Sequence, residues 1–168
     1  MSHEAGPSQH VYTPPRPAPA EIPTAVAAYL DGNDLSSKSQ ALRLSTVTAD
    51  GWPHASLLSA GDMLAVSADR IRFVVFPESV MTQNLARDGR MTMTLALDGG
   101  MTELFMHARR LDADAPEVPL AFFEAVVERA RHHQAPYADV SSGITFQVHE
   151  MFAVLPRWER QIAAMRAA

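Results

Sequence analysis

The chain has 168 residues, 47% of them hydrophobic and 20% charged, with a net charge of −5 and no cysteine. This balance fits one globular domain and excludes a chain disordered throughout, a collagen-like fibre and a coiled coil. The missing cysteine removes thiolate catalysis, Cys-type zinc sites, iron–sulfur clusters and disulfides, and the acidity with scattered arginines leaves no basic stripe for nucleic acid.

In chain order, Pro7, Pro14, Pro15, Pro17 and Pro19 mark residues 1–20 as a flexible Pro-rich tail, with the domain over 21–168. Residues 22–30 predict a short helix that Asp31-Gly32-Asn33-Asp34 stops. From Ala41 the period changes to two. Residues 41–48 predict a strand, Ala49-Asp50-Gly51 a hairpin turn, and 53–59 a second strand. Residues 70–76, rich in β-branched and aromatic side chains, predict a third. Residues 79–87 predict a helix with Gly89 as its stop. Residues 90–97 alternate strictly, with Met91, Met93, Leu95 and Leu97 on one face, and Asp98-Gly99-Gly100 turns the chain into a fifth strand over 101–111. In 119–133, Leu120, Phe123, Val126, Val127 and Ala130 recur at spacings of three and four, which predicts a helix. Residues 143–155 predict a last strand, and Pro156 opens a C-terminal helix. The expected fold is mainly β (α+β), a six-stranded antiparallel barrel with peripheral helices.

The patterns of common chemistries are absent. His3, His10, His54, His107, His132, His133 and His149 form no HExxH motif, and the adjacent His132 and His133 point to different faces of a helix, so no metal site is expected. GxSxG, Walker A and GxGxxG do not occur. No apolar run approaches a membrane span and MSHEAGPSQH shows no signal pattern, so no membrane partner and a cytoplasmic location are expected. One positive signal is the turn Phe76-Pro77-Glu78-Ser79 leading into 80–85. A helix N-terminus there, with the hydroxyls of Ser79 and Thr82, suits a phosphate; the plainer reading is that Ser79 caps the helix. Met91, Met93, Met101 and Met106 read as core or interface filler, and Trp52 as a hairpin-edge aromatic.

Three segments in order carry a resemblance: Thr46-Val47-x-x-Asp50-Gly51-x-Pro53-His54, residues 73–79, and Asn84-Leu85-x-Arg87-Asp88-Gly89-Arg90. Together they resemble the pyridoxamine 5'-phosphate oxidase-like family of FMN-binding split barrels, and the strand order extends the likeness to Leu111. The resemblance implies a split barrel that forms a homodimer with FMN at the subunit interface. It places Ser56, Leu57, Leu58 and Ser59 along the flavin, with Val75, Phe76, Ser79, Val80, Met81 and Thr82 at the ribityl-phosphate arm. Glu103 matches a polar position that reaches the flavin from the fifth strand. The implied function is an FMN-dependent oxidoreductase acting on a small molecule, with no side chain assigned as catalytic because the flavin carries the electrons.

The chain departs from the family at one point. Many relatives follow the serine with Arg-Lys, whose cations hold the phosphate, whereas this chain has Ser79-Val80-Met81. Two lost charge-assisted bonds of roughly 1.5–3 kcal/mol each would weaken FMN by about a hundredfold or more. Ser79, Thr82, the helix N-terminus and an arginine from elsewhere are the available compensation. The departure motivates two alternatives, a dimeric binding or regulatory module that has lost FMN and a haem-binding relative. The pair Arg157-Trp158 reads either as reaching the flavin of a partner subunit or, more plainly, as part of an amphipathic helix that packs Trp158 and Ile162.

Overall fold

Alternation of apolar and polar residues produces five of the expected strands nearly at their expected bounds. The structure, a computed structural model, describes residues 20–168 together with Tyr12 and Pro14; the expected tail lies otherwise outside the described residues. Helix α1 (Thr24–Tyr29) and a 3-10 turn (Leu35–Ser37) precede strands β1 (Leu42–Val47), β2 (Pro53–Leu58), β3 (Met63–Ala65) and β4 (Arg70–Val75). Helix α2 (Val80–Arg87), strands β5 (Arg90–Leu97), β6 (Gly100–Leu111) and β7 (Ala121–His133), and helix α3 (Met151–Ala167) complete the chain. All strand pairs are antiparallel in one curled sheet of order β2-β1-β5-β6-β7-β4-β3, a half-barrel. Seven strands stand where six were expected.

The expected helix over 119–133 is strand β7, paired with β6 and β4. A bulge explains the misleading spacing. Met106 pairs with Val127 and Phe105 with Arg129, so Glu128 is the extra residue. Before it Phe123, Ala125 and Val127 face the core; after it Ala130 does. The inward step therefore includes a three, which mimics a helix. Phe122 is buried on the opposite face, so two-sided burial also erased the alternation.

The expected strand over 143–155 divides differently. Residues 143–150 follow residues 39–41 with one bridge, Gln40 to Thr145, and Ala41 N–H donates to Ile144 O at 2.8 Å. Helix α3 then starts at Met151, placing Pro156 inside it rather than at its start. The apolar series Met151, Val154, Leu155, Trp158, Ile162 and Met165 has helical spacing and packs on one cluster, which outweighs the single backbone bond that Pro156 removes. Strand β3 was missed because three residues are too few to show a period.

The main core lies inside the curl and joins Leu44, Phe73, Met93, Leu104 and Phe123 to Val26 and Leu30 below. Phe73 and Phe123 stack with ring centroids 5.4 Å apart. On the sheet's outer side, α3 packs on Leu64, Val74 and Phe122 through Trp158, Ile162 and Met165. Asp98 and Gly99 both take positive φ (52° and 73°) in the β5–β6 turn, as a tight hairpin requires.

The Asn84-to-Arg90 motif is structural. Buried Asn84 donates to Thr46 Oγ1 at 2.9 Å, and Arg87 donates to Val47 O, so α2 is tied to β1. Gly89 does not take the left-handed conformation expected of a helix stop. It is needed because a Cβ there would stand 2.4 Å from Ala108 O, where Ala108 N–H bonds back to Gly89 O at 2.7 Å.

Candidate functional site

Where the end of β4 runs into α2, the chain opens a cleft of about 620 Å³ against β2, residues 117–120 and α3. Strand β2 contributes Ser56, Leu57 and Leu58; the β4 end contributes Val75 and Phe76; the first turn of α2 contributes Ser79, Val80 and Met81. The resemblance places these residues along the flavin, and the fold brings them to one place. The walls are mostly apolar, with polar groups from His54, Asp62, Gln161, Arg157 and Arg160. His54 Nδ1 lies 3.5 Å from Ser56 Oγ.

The α2 turn is held by its own hydroxyls. Ser79 Oγ accepts from Thr82 N–H at 3.1 Å, an N-cap, while Thr82 Oγ1 donates to Phe76 O at 2.7 Å. Thr82 is buried and does not line the cleft. The capping role assigned to Ser79 is thus met, and both hydroxyls already serve the turn.

Ser59 and Glu103 also stand outside the cleft. Ser59 is buried, its Oγ donating to Asp62 Oδ2 at 2.6 Å, and it lines a neighbouring groove beneath residues 144–150. Glu103 lies on the outer face of β6, 3.4 Å from His133 Nε2 and opposite Arg131.

Sequence reasoning missed the far wall. Residues 117–120, Arg160 and Gln161 line the cleft, and Arg157 joins them while its neighbour Trp158 is buried in the cluster beneath. Gln161 Nε2 donates to Gly61 O at 3.0 Å and to Asp62 Oδ1 at 2.8 Å, fastening α3 to the β2–β3 turn. A Cβ on Gly61 would stand 2.0 Å from Trp158 Cγ, so that turn and the indole are in direct contact. The available signal was the spacing 157, 160, 161, which puts three polar side chains on one helical face.

Among the described residues, no group of three or more His, Asp or Glu side chains is placed to hold a metal ion. Among them also, no helix is long and apolar enough to cross a membrane.

No family model matches the chain. Over 140 residues it is 31% identical to the uncharacterized protein YclD of Bacillus subtilis, covering 82% of this chain and 90% of that one. Among solved structures, a Lactobacillus delbrueckii protein described as a candidate pyridoxamine 5'-phosphate oxidase superposes with a TM-score of 0.52 at 16% identity, over 66% of this chain and 93% of its own. HupZ of Group A Streptococcus gives 0.54 at 14% identity, over 71% and 99%. An F420 reductase gives 0.50 at 10% identity, over 65% and 98%. At these identities the likeness is one of fold.

Proposed function

The chain belongs to one family with YclD of Bacillus subtilis and has the fold of the pyridoxamine 5'-phosphate oxidase-like split barrels; on that premise we propose that it is a flavoprotein that binds FMN in the cleft between β2, α2 and α3. The observation that carries this reading is the meeting of Ser56, Leu57, Val75, Phe76 and Val80, from three separate elements, in one largely apolar cleft. Its volume of about 620 Å³ lies within the usual range for a cofactor site. The donor set also fits, since two guanidinium groups face a space with apolar walls.

A bound flavin would supply one- or two-electron transfer, which makes an oxidoreductase acting on a small molecule the activity proposed here. The chain's own residues bind and orient. Leu57, Leu58, Val75 and Phe76 give the cleft apolar walls, and the Ser79 cap fixes the turn that borders it. Leu57, Phe76 and Val80 remain 52%, 67% and 46% exposed at the cleft. A second copy of the chain closing over them would bury this apolar rim, which supports a homodimer with the cofactor at its interface.

The test is the visible spectrum of the purified chain after FMN is added and the excess removed. Retained flavin bands at one equivalent per chain are expected. A colourless protein that refuses FMN overturns the reading and leaves the barrel as a binding module.

A further inference from the structure

We propose that α3 supplies the anion-binding end of the cleft, with Arg157 and Arg160 holding the phosphate of the bound flavin. The inference rests on the flavoprotein reading and adds which residues meet the charge. Among the residues that line the cleft, the permanent cations are Arg157 and Arg160, while the α2 turn presents Val80 and Met81.

Neither guanidinium group makes a hydrogen bond or ion pair with any described residue. Most other arginines among the described residues are engaged. Arg70, Arg72 and Arg109 surround Glu124, Arg87 holds Val47 O, Arg90 pairs with Asp88, and Arg166 donates to Asp31 O. Two guanidinium groups with no ion-pair partner thus face one cleft in a chain of net charge −5, open to an anion that enters it. Asp62 and Glu117 also line the cleft, but neither pairs with either arginine: Asp62 accepts from Ser59 and Gln161, and Glu117 is solvent-exposed.

The helix that carries the pair is fixed. Trp158 is buried, Gln161 is tied to Gly61 and Asp62, and Arg72 donates to Met165 O at 2.8 Å near the far end. Residues 157, 160 and 161 are spaced to share one face, so both arginines project toward the cleft from a fixed backbone. A phosphate monoester carries nearly two negative charges and three acceptor oxygens, which two guanidinium forks match. The two hydroxyls of the α2 turn are already bonded, so the full positive charges that face the cleft come from the α3 side.

The experiment compares FMN with riboflavin, which has the same ring and no phosphate, by titration against wild type, Arg157→Gln, Arg160→Gln and the double variant. Wild type is expected to prefer FMN. Each single change should weaken FMN by roughly tenfold or more, and the double variant should bind FMN no better than riboflavin, with riboflavin affinity unchanged throughout. Raised salt should weaken FMN more in wild type than in the double variant. If the double variant keeps wild-type FMN affinity, the inference is overturned while the flavoprotein reading stands. Equal losses for both flavins overturn it too, because the arginines would then not act on the phosphate. If neither flavin binds wild type, the flavoprotein reading fails and takes the inference with it.

Discussion

Replacing Trp158 by alanine is expected to lower the unfolding free energy by about 3–5 kcal/mol and to weaken FMN binding in the molecules that remain folded. The indole lies against Gly61 and meets Phe146 edge-on with centroids 6.3 Å apart, in the cluster that also holds Val74 and Phe122. Its loss opens a cavity that the sheet on one side and the helix on the other cannot both close. It also frees the turn of α3 that carries Arg157, Arg160 and Gln161, so the cleft loses its far wall. Urea denaturation measures the first effect and FMN titration the second. Gly61→Ala supplies the check: its added methyl collides with the indole in wild type but enters vacated space in the Trp158→Ala background. The two changes should therefore be far from additive. Additive losses would mean that the turn and the helix are not in contact as described.

The second large effect concerns Glu124, buried on the outer face of β7. Its carboxylate accepts from Arg70 at 2.8 Å, Arg72 at 3.1 Å and Arg109 at 2.8 Å, and Arg72 also reaches Met165 O. Burial pushes the Glu124 carboxyl up, but the three guanidinium groups outweigh it and hold the carboxyl below the usual glutamate range. Glu124→Gln leaves three cations around a neutral amide and should cost roughly 3 kcal/mol, the low end for a broken buried pair because Arg70 and Arg109 keep part of their hydration. The sign with pH follows from the depressed value. The contribution is fully present above the unfolded glutamate value of about 4.3 and is lost as pH falls through the lower folded one. As pH falls below about 4.3, wild type should lose stability more steeply than Glu124→Gln. Parallel curves would contradict the assignment.

How far the sequence discloses the fold depends on how each strand is buried. β5 has one face inward and the other outward, and its RMTMTLAL pattern gives it away. β7 is central, buried on both faces over much of its length and bulged at Glu128, so its inward positions pass from odd to even numbers and imitate a helix. In 143–155 a short extended run passes directly into a helix, and the alternation of GITFQVHE hides the helical series that begins at Met151. The expected strand count of six omitted β3 and β7 and included this segment.

The cleft divides in the same manner. Its β2 and α2 walls are local in sequence and sit beside recognisable motif residues, so Ser56, Leu57, Val75, Phe76 and Ser79 could be named in advance. Thr82 shares that segment, yet its hydroxyl turns back onto Phe76 O, a detail set by the path of the turn. The α3 wall comes from a distant segment with no motif. Only the docking of Trp158 against Gly61 brings Arg157 and Arg160 across to face α2.

In the proposed function one cleft, walled by β2, the α2 turn and α3, receives the flavin. Hydrogen exchange of the full chain with and without FMN tests it most directly, because binding slows local opening where the ligand makes contact. Slower exchange is expected together in residues 53–58, in 76–82 and in 157–161. Protection confined to other strands, such as the outer face of β5 and β6, or no protection at saturating FMN, would contradict it.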